Sequence, residues 1–348
     1  MKNFLKKSKI WILTSLIFML QPVFSQNELS LIQKAEESGI TFYWDSFTNT
    51  GMLEKNNHQL TFRPGEKIVV LDSSLIVFTD APSIENNEIK ISKNFFDKAA
   101  EHFSNNEGKC GYKIGAIIID PGHGGKDPGA IGTITVDGKS VKVQEKDVVL
   151  TTGKKLYAML KKQYPEKQII MTRSTDIFLT LNERTDIANN VKLADDEAIL
   201  FVAIHANASL DKKSSGYEVW YLSPGYRRTV IDKSAADNDK TLFPILNSMM
   251  EEEYTTESIL IAKFIMDGLQ VQIGDKSKAR GIKAEEWFVV KHANMPSVLI
   301  EVGFVTNQKE AQLLHTDDYL QKTALGIYNG INAFVTHFER SRGFTSTK

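Results

Sequence analysis

The sequence is poor in cysteine: Cys110 is the single cysteine among 348 residues. One cysteine cannot form an internal disulfide, and one thiolate cannot build a metal site by itself. A metal site in this chain must therefore rest on histidine and carboxylate side chains. The net charge of −1 gives no support for nucleic-acid binding, because that function normally shows as a clustered basic excess.

Long apolar runs are also missing, since no stretch after residue 25 approaches the roughly 18 residues of a membrane-spanning helix. Residues 1–25 have the order of a secretory signal, with four lysines, the apolar run Ile10–Leu20, and modest side chains before a cut after Ser25. The alternative is an N-terminal membrane anchor, but this run is too short to cross a bilayer of about 30 Å. We expect a cleaved signal and a periplasmic or secreted mature chain with no membrane span.

Residues 26–111 have short apolar stretches separated by turn signals rich in Asn, Gly and Pro, which is typical of a small β-rich module. The predicted elements are strands at Lys67–Leu71 and Leu75–Phe78 and a closing helix at Lys93–Phe103. This pattern of short strands and turns resembles the small strand-rich domain at the N-terminus of copper amine oxidases, which is also fused to some cell-wall enzymes. No catalytic constellation is present here, and we interpret His58 and His102 as surface or packing residues.

Residues 112–340 alternate strands and helices, and the chain ends in a tail at 341–348. Predicted strands are Gly115–Asp120, Gln168–Thr172, Ala198–Ile204, Tyr217–Tyr221 and Ser297–Ile300, and predicted helices are Glu145–Gln163, Leu181–Val191, Ile259–Gln270 and Tyr319–Phe338. The strands are almost continuously apolar, which indicates a sheet covered on both faces. We predict an α/β domain with a twisted, mostly parallel or mixed sheet flanked by helices.

Two histidines directly follow buried strands, His123 after Ile-Ile-Ile-Asp-Pro-Gly and His205 after Leu-Phe-Val-Ala-Ile. Open α/β sheets place their ligand sites at the carboxyl ends of strands. Small neighbours on both sides leave room for a ligand to approach. A third ligand should be a carboxylate, and Glu145 fits, although an acid that opens a helix is also favoured by the helix dipole alone.

Other catalytic motifs are missing from the sequence. It has no His-Glu-x-x-His, no Gly-x-Ser-x-Gly, and no complete phosphate-binding loop around Gly124-Gly-Lys-Asp127. These absences exclude a thermolysin-like helix, a serine-hydrolase elbow and a Walker-type nucleotide site.

Six motifs in order resemble the zinc-dependent N-acetylmuramoyl-L-alanine amidases of the AmiA, AmiB and AmiC type. They are Ile117–Ala130, Glu145–Asp147, Thr172–Arg173, Leu181–Arg184, Ile204–Asn207 and Pro296–Phe304. The resemblance implies one Zn²⁺ held by His123, Glu145 and His205, with Glu301 as the catalytic glutamate. It also implies cleavage of the amide between N-acetylmuramic acid and L-alanine of peptidoglycan, in cell-wall remodelling or daughter-cell separation during cell division.

The residues by themselves leave alternatives open. A non-catalytic peptidoglycan-binding protein on an amidase scaffold, or a zinc hydrolase of another amide, would share this scaffold. Asp127 and Asn207 either orient ligands or serve as turn residues. Arg173 and Arg184 either meet substrate carboxylates or form ion pairs with Asp176 and Asp186, and Arg280 is open to the same two readings.

The segment near 226–257 is not needed to complete the sheet. It contains the apolar residues Leu242, Leu246, Met249 and Met250 at helical spacing, followed by Glu251-Glu-Glu253. Amidases of the resembling type carry an insertion near here that can cover the zinc until an activator protein moves it. One of the three carboxylates would then reach the open zinc position; the alternative is a loop packed on the catalytic domain.

Overall fold

The computed structural model describes residues 28–46, 49–72, 75–104, 113–194, 196–226, 228–230 and 243–340. The predicted signal segment and tail lie outside these residues, as do positions 231–242 of the predicted insertion. Within the described ranges, no helix has the length and apolar character needed to span a membrane.

The N-terminal part is rich in β-structure, as predicted. Its elements are β1 Glu28–Ser30, α1 Leu31–Glu37, β2 Thr41–Asp45, β3 Thr50–Lys55, β4 His58–Phe62, β5 Ile68–Leu71, β6 Leu75–Phe78, β7 Ser83–Glu85, β8 Glu88–Ser92 and α2 Lys93–Phe103. Strands β2 to β6 form an antiparallel meander, and β1, β8 and β7 form a second sheet. Helix α2 begins where the Ser92 side chain accepts a hydrogen bond from the amide of Phe95, and Phe95 itself packs in the small core beside Phe62.

The remaining elements build a six-stranded mixed sheet with helices on both faces, which confirms the predicted fold, and a separate hairpin of two strands. They are β9 Lys113–Pro121, β10 Ile131–Val136, β11 Lys139–Gln144, α3 Glu145–Gln163, β12 Gln168–Met171, α4 Leu181–Asn189, β13 Glu197–Asn207, β14 Tyr217–Leu222, α5 Phe243–Ile273, β15 Ala279–Glu285, α6 Phe288–His292, β16 Ser297–Phe304, α7 Gln308–Leu314 and α8 Asp317–Arg340. The strand order of the sheet is β12-β9-β13-β16-β14-β15, and β10 and β11 form the separate hairpin. Strands β12, β9, β13 and β16 are parallel, whereas β14 runs antiparallel to β16.

Alternate residues of the central strands enter two different cores. In β13, Leu200, Val202 and Ile204 join the core formed with α3, α5 and α8, whereas Phe201 and Ala203 join the core on the opposite face with α4 and α6. Because both faces are buried, the strand shows no polar alternation in its sequence. The same alternation directs the next odd-numbered side chain, His205, to the face that carries α4 and α6.

Helix α5 corrects the prediction for the insertion. The apolar segment ending at Tyr254 and the predicted helix Ile259–Gln270 form one continuous helix, with Pro244 in its first turn. The Ser258 hydroxyl accepts a hydrogen bond from the amide of Ser297, the first residue of β16. The N-terminal half of α5 therefore lies by the amino end of β16.

Candidate metal and catalytic site

The carboxyl ends of β9, β13 and β16 meet at one edge of the sheet and carry the predicted site residues. His123 follows β9, and His205 lies inside β13, beside Glu301 of β16 in the parallel register. Glu301 is the fifth residue of a strand that continues to Phe304, so the predicted strand Ser297–Ile300, with Glu301 after it, was too short. Glu145 is the first residue of α3.

His123, Glu145 and His205 converge closely. Each offers one donor atom, and the three atoms lie within 4.8 Å of one another. Glu145 Oε1 is 3.1 Å from His123 Nε2 and 3.0 Å from His205 Nδ1. The structure therefore brings together three side chains that are separated by up to 82 positions in the sequence.

The Glu145 carboxylate is buried and held by the backbone on both sides. Its Oε2 accepts from the amide of Ala130 at 2.9 Å, and its Oε1 accepts from the amide of Ala206 at 3.0 Å. Burial disfavours the charged form, but the imidazoles of His123 and His205 outweigh that effect and hold the pKa of Glu145 well below its usual range. The carboxylate is thus ionised and fixed in orientation.

His123 is oriented by Asp127, as the sequence suggested for that carboxylate. Its Nδ1 lies 2.8 Å from Asp127 Oδ2, and the other oxygen of Asp127 accepts from the amide of Gly129 at 3.0 Å. Burial opposes a positive charge on the ring, but Glu145 and then Asp127 outweigh it and raise the pKa of His123. This leaves Nε2 directed at the cluster, the arrangement usual for a metal-binding histidine.

Two buried arginines hold the loop that carries His123. Arg184 donates to the carbonyls of Pro121 and His123 and pairs with Asp120 at 2.7 Å, while Arg173 donates to the carbonyls of Pro121 and Gly122. His123 has φ of +56°, which is uncommon for a residue other than glycine, and these bonds stabilise that backbone.

The arginine contacts correct two interpretations. Arg173 and Arg184 are only 1% and 2% exposed, so they are not placed to meet a substrate carboxylate. The ion pair of Arg184 is made with Asp120 rather than with Asp186. Both side chains position the His123 loop.

Glu301 is surrounded by His205, by Glu218 and by the charge of Glu145. Strand pairing places it beside His205 on one side and opposite Glu218 of β14 on the other. Burial, with the charges of Glu145 and Glu218, raises the pKa of Glu301 well above its usual range. Its Oε2 is buried and has no hydrogen-bond partner among the described residues, which is the state expected of a group that exchanges a proton with a ligand.

Glu218 is a neighbour of Glu301 that sequence reasoning missed. It accepts hydrogen bonds from Asn207, Arg280 and Lys283, at 2.7, 2.8 and 2.5 Å. Arg280 therefore pairs with a carboxylate of the protein, and Asn207 supports Glu218 rather than one of the three clustered donors. Side chains of β14 alternate between the two faces of the sheet, but this pattern alone does not show which residue lies beside Glu301. The antiparallel register of β14 with β16 shows that Glu218 and Glu301 are directly opposite each other.

The donor set fits a zinc ion. Two imidazole nitrogens and one carboxylate oxygen leave a fourth position free, as in catalytic rather than structural zinc sites. The Glu145 carboxylate is ionised, and together with Asp127 it favours a positive charge at this place.

The glutamates of the predicted insertion lie elsewhere. Glu251 is buried against Arg228, and Glu252 pairs with Arg63 of the N-terminal part at 2.6 Å. Glu251, Glu252 and Glu253 all precede Ser258 in α5. Ser258 contacts Ser297, which lies four residues, or about 13 Å, before Glu301 along β16. The expectation that one of Glu251–Glu253 reaches the zinc position was therefore wrong. An activator acting on 226–257 stays a prediction.

Comparison with known proteins identifies the family of this chain. The sequence pattern of the N-acetylmuramoyl-L-alanine amidase family matches residues 117–333. The chain is 31% identical to the amidase AmiA of Salmonella typhimurium over 247 residues, covering 67% of this chain and 80% of that protein. It is 27% identical to AmiA of Escherichia coli, with coverage of 83% and 99%.

A solved structure, the amidase AmiC2 of Nostoc punctiforme, is 29% identical with a TM-score of 0.48, over 65% of this chain and 99% of that one. The matched residues make up more than half of the sequence, and His123, Glu145, His205 and Glu301 lie within that range. The chain belongs to the N-acetylmuramoyl-L-alanine amidase family.

Proposed function

We propose that this protein is a zinc-dependent hydrolase that cleaves the amide between N-acetylmuramic acid and L-alanine in peptidoglycan. The observation that carries the proposal is the convergence of His123, Glu145 and His205 within 4.8 Å, next to the unpartnered carboxylate oxygen of Glu301. A wall-binding protein without activity would have no need to bury a carboxylate in this state.

His123, Glu145 and His205 would hold the zinc. When bound, zinc supplies a Lewis acid that polarises the scissile carbonyl and makes water nucleophilic at neutral pH. Asp127 keeps His123 in the tautomer whose Nε2 is free to ligate. The backbone amides of Ala130 and Ala206 keep the Glu145 carboxylate in place.

Glu301 is the proposed proton carrier. It accepts a proton from the attacking water and passes it to the leaving amine. This transfer requires a group that is stable both with and without the proton. In the site as described, burial and two carboxylates favour the protonated form. A positive charge held by the three ligands favours the ionised form, so Glu301 can work between the two.

We further propose that residues 1–25 direct export and are removed, so that the enzyme meets its substrate in the periplasm or outside the cell. Its role there is cell-wall remodelling or daughter-cell separation. The partner is peptidoglycan, and residues 26–111 and 112–340 act as separate N-terminal and catalytic domains.

Digestion of purified sacculi with and without a chelator tests the function. Release of peptides with free L-alanine amino termini, abolished by chelator and restored by zinc, is the expected result. Binding to sacculi without any new ends would indicate a wall-binding protein. Inert sacculi with hydrolysis of free peptides would indicate a different amide substrate.

Single substitutions test the ligands. His123→Ala and His205→Ala should each remove activity and lower the zinc content by one equivalent relative to the unmodified protein. His315→Ala is the matched control, because His315 is exposed and lies outside the site. Unchanged zinc content in both site variants would contradict the assignment.

A further inference from the structure

A second cluster of histidine and carboxylate side chains lies in the N-terminal part, outside the catalytic site. It consists of His58 at the start of β4, Asp72 directly after β5, and His102 near the end of α2, and we call it the α2 cluster. His58 Nδ1 is 2.8 Å from Asp72 Oδ2, and His102 Nε2 is 3.2 Å from Asp72 Oδ1. The sequence left His58 and His102 as surface or packing residues, and the structure shows them packed, with side chains 8% and 11% exposed.

The α2 cluster repeats the donor set of the catalytic site. In both, two imidazoles flank one carboxylate, and the donor atoms of each set lie within 4.8 Å of one another. The two imidazole rings are 4.5 Å apart here and 5.0 Å apart in the catalytic site. Ligands of a tetrahedral zinc are separated by about 3.3 Å, given metal–ligand distances of about 2.0–2.1 Å. The observed 2.8 and 3.2 Å are close to that spacing, although they run to the two different oxygens of Asp72.

One nitrogen of the α2 cluster faces two oxygen atoms at equal distance. His102 Nε2 lies 3.2 Å from Asp72 Oδ1 and also 3.2 Å from the carbonyl oxygen of Gln59. An imidazole nitrogen carries at most one hydrogen, so it cannot satisfy both oxygens well. A divalent cation placed among these atoms attracts the carboxylate and both imidazoles at once.

The surroundings of Asp72 suit a ligand role. The amide of Gln59 donates to Asp72 Oδ1 at 2.8 Å and fixes the orientation of the carboxylate, as a supporting contact does in metal sites. The Asp72 side chain is 26% exposed, which leaves a route from solvent. Imidazole and carboxylate together favour zinc or a similar divalent transition metal over magnesium or calcium, which prefer oxygen ligands.

We propose that His58, Asp72 and His102 form a second metal site, which takes one zinc ion and has a structural role. Such an ion would join the end of α2 to the strands β4 and β5. A module with a small core gains most from a covalent or metal link, and a chain with one cysteine has no internal disulfide to provide it. The proposal does not depend on the amidase activity.

Zinc content measured in a two-by-two set of full-length variants tests the proposal. The unmodified protein should hold two equivalents after dialysis, His102→Ala one, His123→Ala one, and the double variant none. His102→Ala should keep its turnover on sacculi, whereas His123→Ala should not. If His102→Ala holds as much zinc as the unmodified protein, the second site is refuted; if His123→Ala does, the catalytic assignment fails instead.

A second variant, Asp72→Asn, distinguishes loss of the metal site from loss of folding. It keeps the shape and the oxygen that accepts from Gln59, but it removes the charge that a metal needs. We expect normal circular dichroism, loss of one equivalent of zinc, and a smaller rise in Tm when Zn²⁺ is added back to chelated protein. Zinc content and Tm response equal to those of the unmodified protein would overturn the proposal.

Discussion

Gly122→Ala is expected to damage the site through one methyl group. Gly122 lies between β9 and His123, and a Cβ atom there would be 2.3 Å from Cε1 and 2.5 Å from Nε2 of His205. Non-bonded carbon atoms normally approach to about 3.5 Å, so the imidazole would have to move by about 1 Å. The backbone cannot move away instead, because the Gly122 amide donates to Ile204 and its carbonyl accepts from Arg173.

The size of the effect follows from this displacement. A shift of about 1 Å in a catalytic group can reduce turnover by about 10²-fold. Gly122 is not among the residues with positive φ, so alanine adds no backbone strain and the fold should persist. We therefore expect turnover on sacculi to fall by about 10²-fold, with weaker zinc binding and unchanged circular dichroism.

The matched control is Gly225→Ala. Gly225 is exposed and also lacks a positive φ, and the nearest atom to its added Cβ, Ser223 Oγ, is 3.9 Å away. Turnover and zinc affinity of this variant should equal those of the unmodified protein. Normal zinc binding and turnover in Gly122→Ala would refute the reasoning, since His205 would then not need its observed position.

Three further outcomes are expected. Glu301→Gln should keep its zinc but lose turnover by about 10²-fold or more, and near-normal turnover would place proton transfer elsewhere. Arg184→Met should lower the free energy of unfolding in urea by about 3–5 kcal/mol, because it leaves the buried charge of Asp120 unpaired; a loss below about 1 kcal/mol would contradict this. Burial lowers the pKa of His337, so the unfolded chain binds protons first and stability should fall as the pH drops below about 6.5. His337→Gln should weaken that pH dependence of Tm, whereas His315→Gln, at an exposed position, should leave it unchanged.

Helix boundaries were predictable where local signals agree with tertiary structure. The predicted helices Lys93–Phe103 and Glu145–Gln163 have the observed bounds. The hairpin of β10 and β11 was missed although its turn, Asp137-Gly138, is a strong signal; both residues have positive φ, as a type I′ turn requires.

Contacts between distant residues were not predictable. His58 lies in a strand, Asp72 follows another strand and His102 lies in a helix, and only the folded module shows that their side chains meet. Arg184 has acidic neighbours in sequence, yet it pairs with Asp120 from another element. Local sequence gives the residue types available, whereas pairing depends on how the elements pack.

Strand register is the property on which the catalytic site depends most. His205, Glu301 and Glu218 lie on one face of three adjacent strands, β13, β16 and β14, at directly paired positions. A slip of one residue in any of these pairings would turn one side chain to the opposite core. The apolar runs of β13 and β16 cannot prevent such a slip, because both faces of these strands are equally apolar. The register must therefore be fixed by polar contacts that can form in one register only. For β14, these are the hydrogen bonds that Glu218 accepts from Asn207, Arg280 and Lys283. The residues that surround the reaction site are therefore also the residues that fix the alignment of the sheet, and substitutions of Glu218 should affect stability and activity together.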